Sequence, residues 1–400
     1  MHNIINQVYL FIKQLCKVIG VKNINFSTLD NSRRRNSLKI LELLLNERLS
    51  RADIADITGL TRTSVGNIIK KFMDIGFVEE KDFKSSGVGR KRVLLDIVPS
   101  FMYVVGVAVS RSQIEGCLID SKGKLIDSEL RRFKKDEDVL EVLYSVIDKL
   151  MNLASRNSLN VKAIGVGVPG PLDVENGIVI NPPKFPGFSN VKLVELLESR
   201  YGIDTWIGND ADLAAWGEKC YGEGRNLEDF IYIYTSEGIG AGIIINNQLY
   251  HGKLGYSGEI GHVLIKKGGE FEYFENLYGK DKLLEKAKKI DSKIEDLDYL
   301  EIEYSKNKEI ASLLREVAEN LGGLIISIIH ITGISDVFIG GDYRVFGDFF
   351  LNNIREIIKR YEFSNQEINI KFSQLGDLAM PLGAGAYAIG MYLKKLILEL

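Results

Sequence analysis

From residue 103 to the C-terminus, short β-branched runs alternate with longer stretches of helical periodicity. That alternation restricts the fold more than any other feature of the chain. Segments 103–109, 164–168, 230–234 and 337–339 have the length and composition of buried strands. Segments 139–153, 191–201, 211–221, 310–331 and 346–361 repeat apolar residues three and four apart, as helices do. Sheets flanked by helices are the expected product. About 300 residues are more than one hydrophobic core serves, so the pattern predicts an α/β body of two lobes with a cleft between them.

The N-terminal quarter has a different grammar. Residues 49–77 read LSRADIADITGLTRTSVGNIIKKFMDIGF. A first helix over 51–58 ends at Gly59, where a left-handed residue turns the chain. Leu60 fills the core, and the Thr61 hydroxyl caps a second helix whose buried stripe is Val65, Ile68 or Ile69, and Phe72. The opposite face displays Arg62, Thr63, Asn67, Lys70 and Lys71. Arginine can fork onto guanine, asparagine onto adenine, and threonine can reach a thymine methyl. The two lysines stand where phosphates would be met. Residues 77–80 and 92–97 can pair as a hairpin whose tip, with Arg90, Lys91 and Arg92 beside it, forms a basic wing. Arg33, Arg34 and Arg35 extend the basic surface. A plain helical hairpin with a solvated face is the weaker alternative, because cap, basic face and wing occur together.

Charge agrees with this division. Residues 31–92 hold fourteen Lys/Arg against eight Asp/Glu, a balance of +6 in a chain of net charge −3, so the remainder carries −9. A basic head on an acidic body directs only the head to a polyanion. The expected domains are a helical extension and linker over 1–30, with 25–32 as linker, a winged helix-turn-helix over 31–97, and the two-lobed body over 98–400. In residues 1–30, Ile4, Val8, Phe11, Leu15 and Ile19 keep helical spacing. No uninterrupted apolar stretch is long enough for a membrane span. Lys13 and Lys17 break the N-terminal apolar stretch, so it matches a secretory signal poorly. Three cysteines far apart, Cys16, Cys117 and Cys220, offer no disulfide framework. A cytoplasmic protein is expected.

Four stretches of the body then carry a resemblance: GVGVPGPLD at 165–173 followed by NPPKFPGF at 181–188, GNDADLAAWGE at 208–218, SEGIGAGIIINNQLYHGKLGYSGEIGH at 236–262, and VFIGGD at 337–342. In this order, and behind such a head, they resemble the ROK family (repressors, open reading frames and sugar kinases) in its xylose-repressor-like and N-acetylglucosamine-repressor-like branch. The resemblance covers nearly the whole chain from residue 31. It implies an actin-like, ribonuclease-H-like body with sugar bound between its lobes. On that mapping Asn209, Asp210, Glu259 and His262 contact sugar, and Glu275 matches a further contact. Asp210 takes the place of the kinases' general base. An amide and carboxylates suit hydroxyls that both donate and accept. Read without the family, Asn209 and Asp210 are an N-cap pair and Glu259 with His262 a polar turn.

Three departures from the kinase pattern favour a sensor over an enzyme. The kinases' Asp-x-Gly-Gly-Thr is replaced by Ala108, Val109, Ser110, Arg111 and Ser112. Alanine cannot ligate magnesium, and phosphoryl transfer depends on metal and backbone positioning. The second phosphate loop, Gly-Thr-Gly in kinases, reads Ser236, Glu237, Gly238. A carboxylate about 4 Å from a phosphate repels it by roughly 4 kcal/mol at an effective dielectric near 20. The Cys-x-Cys-Gly-x-x-Gly-Cys run that supplies zinc ligands is missing, since 263–275 contains no cysteine. No zinc, magnesium, ATP or catalytic residue is therefore expected. The expected partners are double-stranded operator DNA, a small sugar effector and a second copy of the chain, with dimers able to pair into tetramers. Two rival expectations are an active sugar kinase and a body that only dimerises the head. Xylose, glucose and N-acetylhexosamines all fit one Asn, Asp, Glu and His.

Overall fold

A computed structural model of the chain describes residues 29–46, 48–82, 93–134, 136–183, 185, 187–253 and 255–399. The amphipathic pattern of 1–28 and the basic wing residues Arg90, Lys91 and Arg92 lie outside the described residues. The head comprises helices α1 (Leu29–Asn46), α2 (Arg51–Thr58) and α3 (Arg62–Asp74) and an antiparallel hairpin of β1 (Val78–Asp82) and β2 (Val93–Ile97). Helix α1 begins inside the segment read as linker, and this corrects that reading. Its first turn carries Asp30, Asn31 and Ser32, which look like loop residues, while the stripe that holds it, Ile40, Leu41 and Leu44, comes later. Ser50 and Asp53 form a capping box on α2, and Gly59 closes it at φ 69°. The apolar sides of the three helices meet Leu95 and Ile97 of β2 in one core. Phe77 stands edge-on to Phe72 at 5.7 Å and reaches Phe101, at the start of the body, at 5.2 Å.

The body repeats one sheet pattern twice. In the first lobe β3 (Tyr103–Val109), β4 (Gln113–Asp120) and β5 (Leu125–Arg132) form an antiparallel meander. After α4 (Val139–Arg156), β6 (Val161–Val168) joins β3 in parallel. A small hairpin, β7 (Leu172–Asp173) and β8 (Ile178–Val179), and α5 (Leu193–Tyr201) lead to β9 (Asp204–Asn209), parallel to β6. The order is β5-β4-β3-β6-β9. Helix α6 (Asp210–Tyr221) crosses to the second lobe, where β10 (Phe230–Thr235), β11 (Ile239–Ile245) and β12 (Gln248–Leu249) form the second meander. A hairpin of β13 (Leu264–Lys267) and β14 (Glu270–Tyr273) and helices α7 (Phe274–Tyr278), α8 (Lys280–Ile290), α9 (Leu297–Tyr304) and α10 (Lys308–Thr332) follow. Then come β15 (Asp336–Gly341), α11 (Gly347–Tyr361), β16 (Asn369–Phe372) and α12 (Ala379–Glu399). The second order, β12-β11-β10-β15-β16, copies the first. The two-lobed α/β body anticipated from the alternation is present.

Each sheet is covered on its outer face by an amphipathic helix. Val139, Val142, Leu143, Val146, Ile147 and Leu150 of α4 lie on Val105, Val107, Ile164 and Val166. Helix α10 does the same for the second sheet. Between the sheets α6 and α12 pack back to back, and they can do so only through glycine. A Cβ on Gly217 would lie 2.0 Å from the Ala379 carbonyl oxygen, and one on Gly383 would lie 1.7 Å from that of Leu213. Helix α12 was not among the helical segments read from the sequence, and it carries Pro381, Gly383, Gly385 and Gly390. Gly383 presses on α6 and Gly385 on Ile119 and Gly106 of the first sheet. From Ala379 and Met380 at the cleft the helix runs to Leu393 and Ile397 in the core shared with the head. A second joint is polar. Asp96 of β2, 3% exposed, meets Arg48 at 2.8 Å, Lys81 at 3.7 Å and, from the β4–β5 turn of the body, Lys122 at 2.7 Å. Burial pushes its carboxyl up, but Lys122, Arg48 and Lys81 outweigh burial and hold it below the usual range.

Candidate functional site

On the head, Thr61 accepts the Ser64 N–H at 3.2 Å and fixes the start of α3. Val65, Ile68, Ile69 and Phe72 are all buried, so both isoleucines serve the core. Arg62, Thr63, Asn67, Lys70 and Lys71 are all exposed on the outer face. Arg51 pairs with Glu80 and ties α2 to β1.

In the body, β9 delivers Asn209 and α6 opens with Asp210, both half-buried in the cleft. Asn209 is indeed an N-cap, since its Oδ1 accepts the Ala211 and Asp212 N–H groups at 3.0 and 3.3 Å. Its amide nitrogen faces the other way, 3.3 Å from where a Cβ on Gly170 would stand. Capping uses the oxygen and leaves the amide nitrogen beside Gly170. Burial pushes the Asp210 carboxyl up to about 7. The Ala211 N–H opposes this, Glu259 adds to it, Arg111 opposes it and Asp212 adds to it. Glu259 in turn pairs with His262 Nδ1 at 3.0 Å, and both are exposed. Glu275 extends Oε2 to 3.0 Å from a Cβ position on Gly261 and 3.3 Å from one on Gly238. Asp210 thus feels the charge of Glu259, which pairs with His262, and Glu275 stands beside Gly238 and Gly261.

The place of the zinc run is taken by the β13–β14 hairpin, and the Tyr273 ring stands edge-on to His262 at 5.1 Å. An aromatic contact and the Glu259 pairing hold the loop. Among the described residues no group of three or more His, Cys, Asp or Glu is arranged to hold a metal ion.

The other half of the cleft is where a kinase would hold nucleotide. A pocket between the lobes lies there. Ala108 lines it, as do Glu115, Asp342 and Asp377. Burial, with the charge of Asp377, pushes Glu115 up to about 7. Beside it Glu237 accepts from Ser112, across the lobes, and from Ser236 at 2.7 Å. Lys280, at the start of α8, lies 3.6 Å from Glu237 and 3.0 Å from Asp342. Burial raises the Glu237 pKa, but Lys280 and the two serine hydroxyls lower it further, so it stays below the ordinary value. Beside this pocket the protein thus sets its own Glu237 carboxylate, and Ala108 offers a metal no oxygen.

Sequence reasoning missed several partners. His251 pairs with Asp212 at 2.8 Å, Lys280 bridges two carboxylates, and Ser112 reaches across the cleft. Arg111 was noted only as a lost glycine. Each pairing joins residues remote in sequence, and no local spacing signals it.

The two copied sheets, the cleft between them and the winged head define a sugar-kinase-like body coupled to a helix-turn-helix. The chain belongs to the ROK family, which it matches over residues 104–390, and it matches a winged helix-turn-helix DNA-binding family over 33–79. It is similar to the xylose repressor of Caldicellulosiruptor bescii, 31% identical over 380 residues that span 88% of this chain and 95% of that repressor. Its fold is similar to that of a ROK family transcriptional regulator described as a homologue of the E. coli Mlc protein, with a TM-score of 0.77, 19% identity, and 92% and 98% of the two chains covered. The body also superimposes on the ROK hexokinase of Thermus thermophilus, with a TM-score of 0.61, 24% identity, and 74% and 99% covered.

Proposed function

We propose that this chain is a sugar-responsive transcriptional regulator, a repressor of carbohydrate-utilisation genes. It reads operator DNA through α3 and binds a neutral sugar between its lobes. The observation that carries the reading is the divided cleft. Its hydroxyl-facing half carries Asn209, Asp210, Glu259, His262 and Glu275, while beside its other half Glu237 is held by Ser112, Ser236 and Lys280. The xylose-repressor relative, matched over 88% of this chain, supports the same reading. Arg62, Thr63 and Asn67 read bases, Lys70 and Lys71 meet phosphates, and Arg90, Lys91 and Arg92 form the wing. No cofactor takes part. The chain acts in the cytoplasm as a homodimer, and its two-fold axis sets operator half-sites about one or two helical turns apart.

Sugar acts by preferring one lobe arrangement, and its effect equals its difference in affinity between the two. Helix α12 is the mechanical link, since one end lines the cleft and the other sits in the core shared with the head. The test is operator binding with and without D-xylose. Arg62→Ala and Asn67→Ala should each lower operator affinity about ten- to hundredfold and leave low-salt binding to random DNA. Equal loss on both DNAs refutes base reading. Asp210→Ala should bind operator normally and ignore sugar; a normal sugar response refutes the cleft assignment.

One observation favours a second reading. A carboxyl lifted to about 7, as Asp210 is, suits a general base, so the body could act as a sugar kinase. ADP formation from ATP in the presence of hexoses or pentoses, abolished in Asp210→Asn, would establish it.

A further inference from the structure

We infer that Arg111 is a ligand-contacting residue of this cleft, gripping one hydroxyl of a neutral sugar jointly with Asp210. The inference rests on the sugar-sensing reading above and names a determinant within that site.

Arg111 sits on the loop between β3 and β4, and that loop is held from several sides. Ser110 N–H and Oγ both donate to the Gln113 carbonyl at 2.9 Å, Phe133 N–H donates to the Ser112 carbonyl at 3.0 Å, and Ser112 Oγ donates to Glu237. From this fixed base the side chain turns to the hydroxyl-facing half. Its Nη1 and Nη2 lie 3.8 and 3.9 Å from where a Cβ on Gly238 would be, beside Glu275 Oε2 at 3.3 Å from the same point. Its charge is felt by Asp210. Its Nε is buried without a hydrogen-bond partner. A buried donor in that condition calls for a ligand or an ordered water.

The neighbours decide the ligand's charge. Asp210 on α6, Glu275 on α7, and Glu259 face this space, with one guanidinium and a His262 already turned to Glu259. Lys280 is engaged by Glu237 and Asp342. Carboxylates exceed cations, so a phosphate or carboxylate on the ligand meets net repulsion. A neutral hydroxyl completes the set, its oxygen accepting from the guanidinium and its proton donated to Asp210. Arg111 thereby supplies a fixed positive charge without any metal.

The test uses the full chain and four probes: D-xylose, D-glucose, D-glucose 6-phosphate and D-glucuronate, with affinity read by calorimetry. Wild type should bind a neutral sugar and reject both anions. Arg111→Met should lose roughly ten- to hundredfold in affinity for that sugar, with unliganded melting and operator binding unchanged. Arg111→Lys, which keeps the charge but not the fork, should fall between and keeps the inference testable should the methionine variant not fold. Wild-type affinity in both variants, or tighter binding of either anion by wild type, overturns the role of Arg111 alone. Silence of wild type towards all four and towards N-acetyl-D-glucosamine overturns the sensor reading itself.

Discussion

The joint at Asp96 offers the sharpest test of how the head is held. Asp96→Asn keeps the shape of the side chain and removes the charge that collects Arg48, Lys81 and Lys122. Breaking a fully buried ion pair costs about 3–5 kcal/mol. Here only the carboxylate is buried, at 3% exposure, whereas Arg48 and Lys122 are 45% and 35% exposed and regain hydration once freed. Two charge-assisted hydrogen bonds, weakened by that exposure, leave an expected loss of about 2 kcal/mol. Urea unfolding of wild type, Asp96→Asn, Lys122→Met and the double variant gives the coupling between head and body directly, expected near 1 kcal/mol. The pH dependence has a fixed sign. The Asp96 pKa is lowered in the folded chain, so its contribution is present above the unfolded value near 3.9. It is lost as pH falls through the lower folded value, and in Asp96→Asn that acid-limb loss should shrink. Operator affinity should fall together with the coupling, because the head loses its fixed orientation. Additive variants, with a coupling below about 0.3 kcal/mol, would refute the joint.

Two further outcomes follow from packing and protonation. Gly383→Ala puts a Cβ 1.7 Å from the Leu213 carbonyl oxygen and should cost about 3 kcal/mol as α12 is forced off α6. Gly323→Ala on α10, with nothing within 4 Å, should instead stabilise by about 0.5–1 kcal/mol, and denaturant midpoints compare the two. For His251, burial lowers the pKa but the hydrogen bond and charge of Asp212 raise it more, to a net value above 6.5. Its stabilisation is therefore complete below the unfolded value and lost as pH rises through the folded one. Melting temperatures of His251→Gln and wild type should differ most in acid and converge in alkali, and a constant difference across that range would refute the pairing.

Sequence alone determined the classes of element and the two kinds of surface. The strand at 103–109, the α4 stripe, the Gly59 turn and the Thr61 cap are local facts: apolar period, left-handed glycine and hydroxyl cap act within a few residues. The exposure of Arg62, Thr63 and Asn67 follows from which face of α3 is apolar. The motifs that revealed the family also marked Asn209, Asp210, Glu259, His262 and Glu275. Tertiary structure alone decided what fills the cleft and what joins the parts. Gly383 of α12 gains its meaning only there, because a missing Cβ matters when a second backbone comes within about 2 Å of where it would be. Glu237, read as a repellent for phosphate, turned out to be held by Ser112, 125 residues away, and by Lys280. Arg111, read as a lost glycine, became a cation facing Asp210 and Glu275. Those pairings are set by the packing of two lobes around α6 and α12, and charges meeting across such a cleft leave no periodicity in the chain.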